Sequence, residues 1–207
     1  MPVEPPATPQ NEIKAKLLAS IAALDPQQAL LPSDSDSLTP LIEQLEACTP
    51  TPRPLSPEHR QTLLGEWVLI YASRGTVVTR RLPSVPNLFG GITLERVWQV
   101  LSVSSNQTVA AENGAVLSLP ILGKARLSAN GFWRWEAGEA QTAQVSFSSF
   151  SIQLLKPFGW LDWSLPDLKV PVLEILRQEA EWTTSYLDED LRVGRGATGN
   201  LFVFKRV

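Results

Sequence analysis

A mainly β fold, in which short antiparallel strands form a barrel or a sandwich behind two N-terminal helices, is predicted by three features of this sequence. The first is a composition shift near residue 57. Of 17 prolines, 11 lie at or before Pro57, whereas all seven Trp, seven Phe and two Tyr lie from Trp67 onward. The second is a change of period, from helical spacing of apolar residues before the shift to short alternating runs after it. The third is size and balance: 207 residues, 43% hydrophobic and 19% charged, suffice for one domain with a helical appendage and a sizeable core. The expected division is a helical segment with a Pro-rich linker over residues 1–57 and a β domain over residues 58–207.

In the first part Ile13, Leu17, Ile21 and Leu24 recur at helical spacing, with Thr8 as N-cap and Pro9 at the first helical position. A second short helix has Thr39 as cap, Pro40 as first residue and Leu41, Ile42 and Leu45 as its stripe. It ends at Thr49-Pro50-Thr51-Pro52-Arg53-Pro54, read as an extended linker. These stripes contain no aromatic residue and need a partner, so the helices of residues 11–48 are expected to cover an outer face of the β domain.

In the second part residues 66–72 place Trp67, Leu69 and Tyr71 on one face and Val68 and Ile70 on the other, a strand covered on both sides. Further strands are expected over 76–82, 93–103, 109–119, 123–128, 132–136, 144–155, 180–187 and 201–206. Asn130-Gly131 reads as a hairpin turn between two of them. Val145 and Phe147, followed by Phe150, Ile152 and Leu154, change phase at Ser148-Ser149, where a bulge would bend the strand. Pro157, Pro166 and Pro171 break the pattern, and residues 172–178 have room for one or two helical turns.

Composition removes several classes of function. A formal charge of −3 and a pI near 5.3 give no basic field for phosphates, so nucleic acid is not an expected partner. No window approaches the ~20 apolar residues of a membrane-spanning helix. Cys48 is the single cysteine and His59 the single histidine, which leaves no intrachain disulfide, no metal site of the usual kinds and no expected cofactor. Residues 1–10 carry four prolines and no Lys or Arg, unlike a secretory signal, and the expectation is a protein used without export.

Three motifs invite chemistry. Gly194-Arg195-Gly196-Ala197-Thr198-Gly199 has dinucleotide-binding spacing, but a strand pattern follows where a helix is required, so it reads as a turn between strands. Asp188-Glu189-Asp190 reads as an acidic turn, solvated or paired with Arg192 and Arg195. His59 reads as an exposed helix start without triad partners. With no paired acid and base, an enzyme is not expected. Phe158, Trp160 and Trp163 form an aromatic loop among prolines that suits a membrane or partner contact, or burial over a barrel mouth.

Several blocks resemble the plastid lipid-associated proteins, or fibrillins, of plastids and cyanobacteria. Leu64-Gly65-Glu66-Trp67-Val68-Leu69-Ile70-Tyr71-Ala72-Ser73 is similar to the family's G-x-W-x-L-x-Y-T-S opening, with Ala72 where Thr is frequent. Leu41 to Pro54 resembles the helix before the barrel, and Leu165 to Pro171 a second block. Trp182 to Gly196 is the most specific block, and Leu201-Phe202-Val203-Phe204-Lys205-Arg206 completes the likeness. The resemblance implies a lipocalin-like antiparallel β-barrel with two N-terminal α-helices packed outside. It also implies an apolar cargo of isoprenoid, quinone, carotenoid or acyl lipid, and peripheral association with thylakoids or lipid globules on the cytoplasmic side. Without a transit-like N-terminus the sequence fits a cyanobacterial-type member.

Two site expectations follow for such a barrel. Trp98, Phe147, Phe150, Trp182 and Tyr186, bulky residues of middle or late strands, are expected to turn inward and line a ligand site. If the last strand lies antiparallel to the first, Arg206 meets Gly65 and Trp67 and its guanidinium stacks on the indole, closing the barrel, with Arg195 as rival. A non-enzymatic carrier of a hydrophobic small molecule is the leading expectation. A filled scaffold on a membrane or an isoprenoid-biosynthetic enzyme is the alternative, and no particular protein partner is implied.

Overall fold

The computed structural model describes residues 9–30, 38–73, 93–119, 123–155, 166, 168–170 and 179–207. Four short helices precede the strands among these residues: α1 (Pro9–Ala22), α2 (Pro26–Leu30), α3 (Thr39–Glu46) and α4 (Arg60–Leu63). Nine strands follow: β1 (Gly65–Ala72), β2 (Thr93–Ser105), β3 (Thr108–Leu119), β4 (Gly123–Arg134), β5 (Thr142–Leu155), β6 (Leu168–Val170), β7 (Ala180–Leu187), β8 (Leu191–Gly196) and β9 (Leu201–Arg206). Their order is β4-β3-β2-β1-β9-β8-β7-β5-β6, all pairs antiparallel, and β4 also pairs with β5. That last pairing closes eight strands into a barrel-like ring, with β6 added to the part of β5 that β7 leaves free.

Closure removes the open edges a flat sheet would present and separates an inner from an outer face. Trp67, Leu69, Leu101, Val109, Trp133 and Phe204 belong to the inner core. A second core lies outside, where Leu17, Ile21, Ile42 and Leu45 of α1 and α3 pack on Tyr71, Tyr186, Leu191, Val193, Leu201 and Val203. β1 is apolar on both sides because it separates the two cores, but the expected faces are not kept: Trp67 and Leu69 belong to the inner core, whereas the shift at Ile70 turns Tyr71 to the outer one. Alternation is not uniform along the strands. Register shifts at Ile70, Ser185 and Ser148 insert an extra residue and reset which positions point inward.

Polar contacts fix the helices on the ring. Glu46 of α3 accepts two bonds from Arg195 of β8, at 2.9 and 2.5 Å. Lys14 of α1 pairs with Asp188 at 2.8 Å. Gln27 of α2 bonds both backbone groups of Leu94 in β2, donating to the carbonyl at 2.8 Å and accepting from the N–H at 3.1 Å. The proline run after α3 lies against the ring: Gln141 donates to the Pro52 carbonyl, Leu55 N–H bonds the Ala140 carbonyl, and Leu55 is buried in the inner core.

Several sequence expectations need correction. Residues 123–128 and 132–136 belong to one strand: Asn130-Gly131 stays extended in β4 opposite the bulge at Ser148, and a Cβ on Gly131 would meet the Ser146 carbonyl oxygen at 2.1 Å. Glycine there serves a close backbone approach instead of a turn. Gly194 and Gly196 lie within β8, and the turn is confined to the residues between β8 and β9. In the acidic turn Glu189 and Asp190 are exposed, in line with the solvated reading, and Lys14 pairs with Asp188 and Asp190, whereas Arg192 and Arg195 bond Gln99 and Glu46 instead. Thr39 is the first residue of α3, whose N-cap is Leu38, so Pro40 stands one position further in than expected. The strand expected over 76–82 and the helical turns expected over 172–178 lie outside the described residues.

Candidate functional site

At one end of the ring the start of β1 and the end of β9 are paired so that Trp67 stands opposite Arg206. The Arg206 guanidinium lies 4.1 Å from the Trp67 ring centroid. It donates to the carbonyls of Leu64 at 2.7 Å and Glu189 at 2.5 Å, and also to that of Thr62. The Trp67 indole N–H donates to the Leu63 carbonyl at 2.9 Å. Gly65 has φ +118°, and a Cβ there would stand 2.6 Å from Arg206 Nη1, so a side chain would collide with the clasp. Arg195 lies outside the ring with Glu46, which raises its pKa by direct hydrogen bonding.

A second arginine, not anticipated from the sequence, sits inside. Arg192 of β8 is 0% exposed. Its guanidinium is 4.4 Å from the Phe204 ring centroid, 5.0 Å from that of Trp67 and 5.5 Å from that of Trp133. Nη2 donates to Gln99 Oε1 at 2.6 Å, and Gln99 Nε2 donates in turn to Asn113 Oδ1 at 2.7 Å. This polar chain crosses the interior from β8 to β2 and β3. Burial, and then the nearby charge of Arg206, push the Arg192 pKa down to about 9. Alternation carried a signal here, because Gln99 lies between inward Val97 and Leu101. Arg192 was hidden because β8 itself was read as a turn.

The five residues expected to line a ligand site are divided between the faces. Trp182 points inward, with its ring over Gly194 and its centroid 5.7 Å from that of Trp133 and 5.2 Å from that of Phe202. Phe147 and Phe150 share the inner row of β5, with centroids 6.4 Å apart, because the extra residue Ser148 brings an odd spacing onto one face. Both are half-buried. Beside this row stand the inner residues of β4, with Ala129 paired to Phe150, Leu127 to Ile152 and Ala125 to Leu154.

Trp98 and Tyr186 require correction, since neither turns inward. Trp98 pairs with Val68 on the outer face, where its ring lies over Gly114 with Arg96 at 5.4 Å and Arg126 at 5.1 Å. These long cations bury the indole without turning it inward. Tyr186 follows the Ser185 bulge, which rotates it under α1 and α3. Its hydroxyl accepts from Gln10 at 2.7 Å and donates to Asp188 at 2.5 Å. Burial first, and then Asp188, push the Tyr186 pKa well up. Burial also pushes the Asp188 carboxyl up, but Lys14, Tyr186 and the N–H groups of Asp190 and Leu191 outweigh it and hold the group below its ordinary value.

Phe158, Trp160 and Trp163 lie outside the described residues. His59 is the N-cap of α4, with Nδ1 3.1 Å from Ser56 Oγ. Among the described residues no cluster of three or more His, Cys, Asp or Glu could hold a metal, and no helix is long and apolar enough to cross a membrane.

The PAP_fibrillin family profile matches residues 11–205. The chain is 27% identical over 195 residues to the probable plastid-lipid-associated protein 3, chloroplastic, of Oryza sativa subsp. japonica, covering 79% of this chain and 50% of that protein. It is 25% identical over 234 residues to the chromoplast-specific carotenoid-associated protein of Cucumis sativus, covering 97% and 70%. It is 29% identical over 202 residues to plastoglobulin-1, chloroplastic, of Pisum sativum, covering 80% and 52%. The chain thus spans only about half the length of the rice and pea proteins. With the family profile covering nearly the whole sequence and the fold closing as described, the chain belongs to the PAP_fibrillin family.

Proposed function

We propose that the protein holds an apolar isoprenoid or acyl lipid inside the ring, without catalysing a reaction, at the surface of a lipid globule or thylakoid-type membrane. The observation that carries this reading is the inner row of β5. Phe147, Phe150, Ile152 and Leu154 are only half-buried although they face inward, beside Ala125, Leu127 and Ala129 of β4 and away from the Trp67–Arg206 end. Apolar side chains left partly uncovered inside a concave wall suit an apolar ligand. The names of the relatives, lipid-associated, carotenoid-associated and plastoglobulin, support the same chemistry and the same kind of surface. Phe147, Phe150 and Trp182 are the proposed contacts, and Phe158, Trp160 and Trp163 the proposed membrane or partner contact.

A titration with a polyprenyl quinone, followed by tryptophan fluorescence, tests the site. Saturable quenching that falls strongly in Trp182→Phe but not in Trp98→Phe is the expected outcome, because Trp98 lies on the outer face. Equal quenching in both variants would remove the site. A second reading, a scaffold with a filled interior, draws on the half where Trp67, Trp133, Phe204 and Arg192 already occupy the space. Absence of saturable binding to any apolar ligand would favour it.

A further inference from the structure

We propose that the interior is built to take the carboxylate of a long-chain acid, anchored on Arg192 beside the indole N–H groups of Trp133 and Trp182. The inference rests on the lipid-holding reading and specifies the head group. Inward side chains of three strands leave buried polar atoms without a hydrogen-bond partner: Trp133 Nε1, Trp182 Nε1, Thr184 Oγ1, and Arg192 Nε and Nη1. Apart from the threonine hydroxyl, every one of these is a donor and nothing else. Inside the ring the deficit is therefore one-sided, and what the interior lacks is acceptors. The remaining unpartnered buried atom among the described residues, the acceptor Asn200 Oδ1, lies in the turn between β8 and β9. The acceptor Arg192 does reach, Gln99 Oε1, satisfies Nη2 alone.

Charge narrows the class further. Arg192 is fully buried, and among the described residues no carboxylate pairs with it. Arg206 adds a like charge across the shared Trp67 ring. A neutral carbonyl would accept the hydrogen bonds and leave the charge uncompensated. A carboxylate meets both needs, since its two oxygens match the planar fork of a guanidinium. One buried cation suits one negative charge better than a diphosphate. An apolar tail would then run from Trp182 past Phe147 and Phe150, away from the Trp67–Arg206 end.

The test compares two ligands of one chain length. Delipidated full-length protein is titrated calorimetrically with palmitic acid and with 1-hexadecanol, each below its aggregation concentration, using wild type and Arg192→Met. The acid is expected to bind wild type at least tenfold more tightly than the alcohol, with Arg192→Met reducing the acid to the alcohol's affinity. Where Arg192→Met does not fold, carboxyl-labelled [13C]palmitate on wild type answers the same question. The bound carboxyl signal should titrate at a pH clearly below that of the free acid. Equal affinity for acid and alcohol, or an unshifted titration, overturns the head-group assignment while leaving the lipid-holding reading intact. Binding of neither ligand overturns both.

Discussion

The Arg206 guanidinium is one planar group that stacks on Trp67 and at the same time bonds the carbonyls of Leu64, Thr62 and Glu189. A lysine keeps the charge but loses the fork, so Arg206→Lys is expected to lower unfolding free energy by about 1–3 kcal/mol in urea titrations. Lipid affinity should stay within about twofold, since the clasp lies at the end of the ring away from Phe150. A large affinity loss at unchanged stability would make Arg206 a ligand residue instead. Asp188 gives a pH signature. Its folded pKa lies below the ordinary 3.8, so its stabilising effect is present above the unfolded pKa and is lost as pH falls through the folded one. Wild type should therefore lose more stability than Asp188→Asn on acidification from pH 5 to about pH 3. At neutral pH the variant should be weaker by about 1–3 kcal/mol through loss of the Lys14 and Tyr186 bonds. Parallel pH profiles for the two proteins would contradict this assignment.

At the scale of elements, the outer core makes α1 and α3 part of the structure and not an appendage. Leu17, Ile42 and Leu45 are each 0% exposed against strands β1 and β7–β9. Burial of one such side chain contributes about 1.5–3 kcal/mol. A chain lacking residues 1–54 should therefore bind ANS and melt at a lower temperature, and an unchanged melt without ANS binding would show that the helices are dispensable. The strands of the first half were legible in the sequence because alternation holds between the register shifts, which lie at Ile70 in β1 and at Glu95 and Ser104 in β2. Legibility failed where a glycine serves packing and not a turn. Gly131 lies under the Ser146 carbonyl and Gly194 under the Trp182 ring, and at both places the sequence looked like a break in a strand. The inward assignments of Phe147 and Phe150 depended on the Ser148 bulge, whose phase change was visible. That of Tyr186 failed because a bulge at Ser185 leaves no comparable mark in Thr183-Thr184-Ser185. Trp98 failed for another reason: two arginines cover an outward ring, so bulk and burial did not imply the interior.

Among the described residues the interior divides between a half filled by Trp67, Trp133, Phe204 and Arg192 and a half whose inner aromatics, Phe147 and Phe150, are only half-buried. Unpaired buried donors cost about 1–3 kcal/mol each, an expense a chain that only needed a solid core would avoid by placing apolar residues at those positions. We propose that this interior holds a lipid. Native mass spectrometry of the full-length protein, purified from its own cells without detergent or added lipid, tests it most directly. A population heavier by one amphiphile is expected, released on organic extraction and identifiable by its own mass. A protein found only at its bare mass, and still bare after incubation with excess quinone and fatty acid, would contradict it.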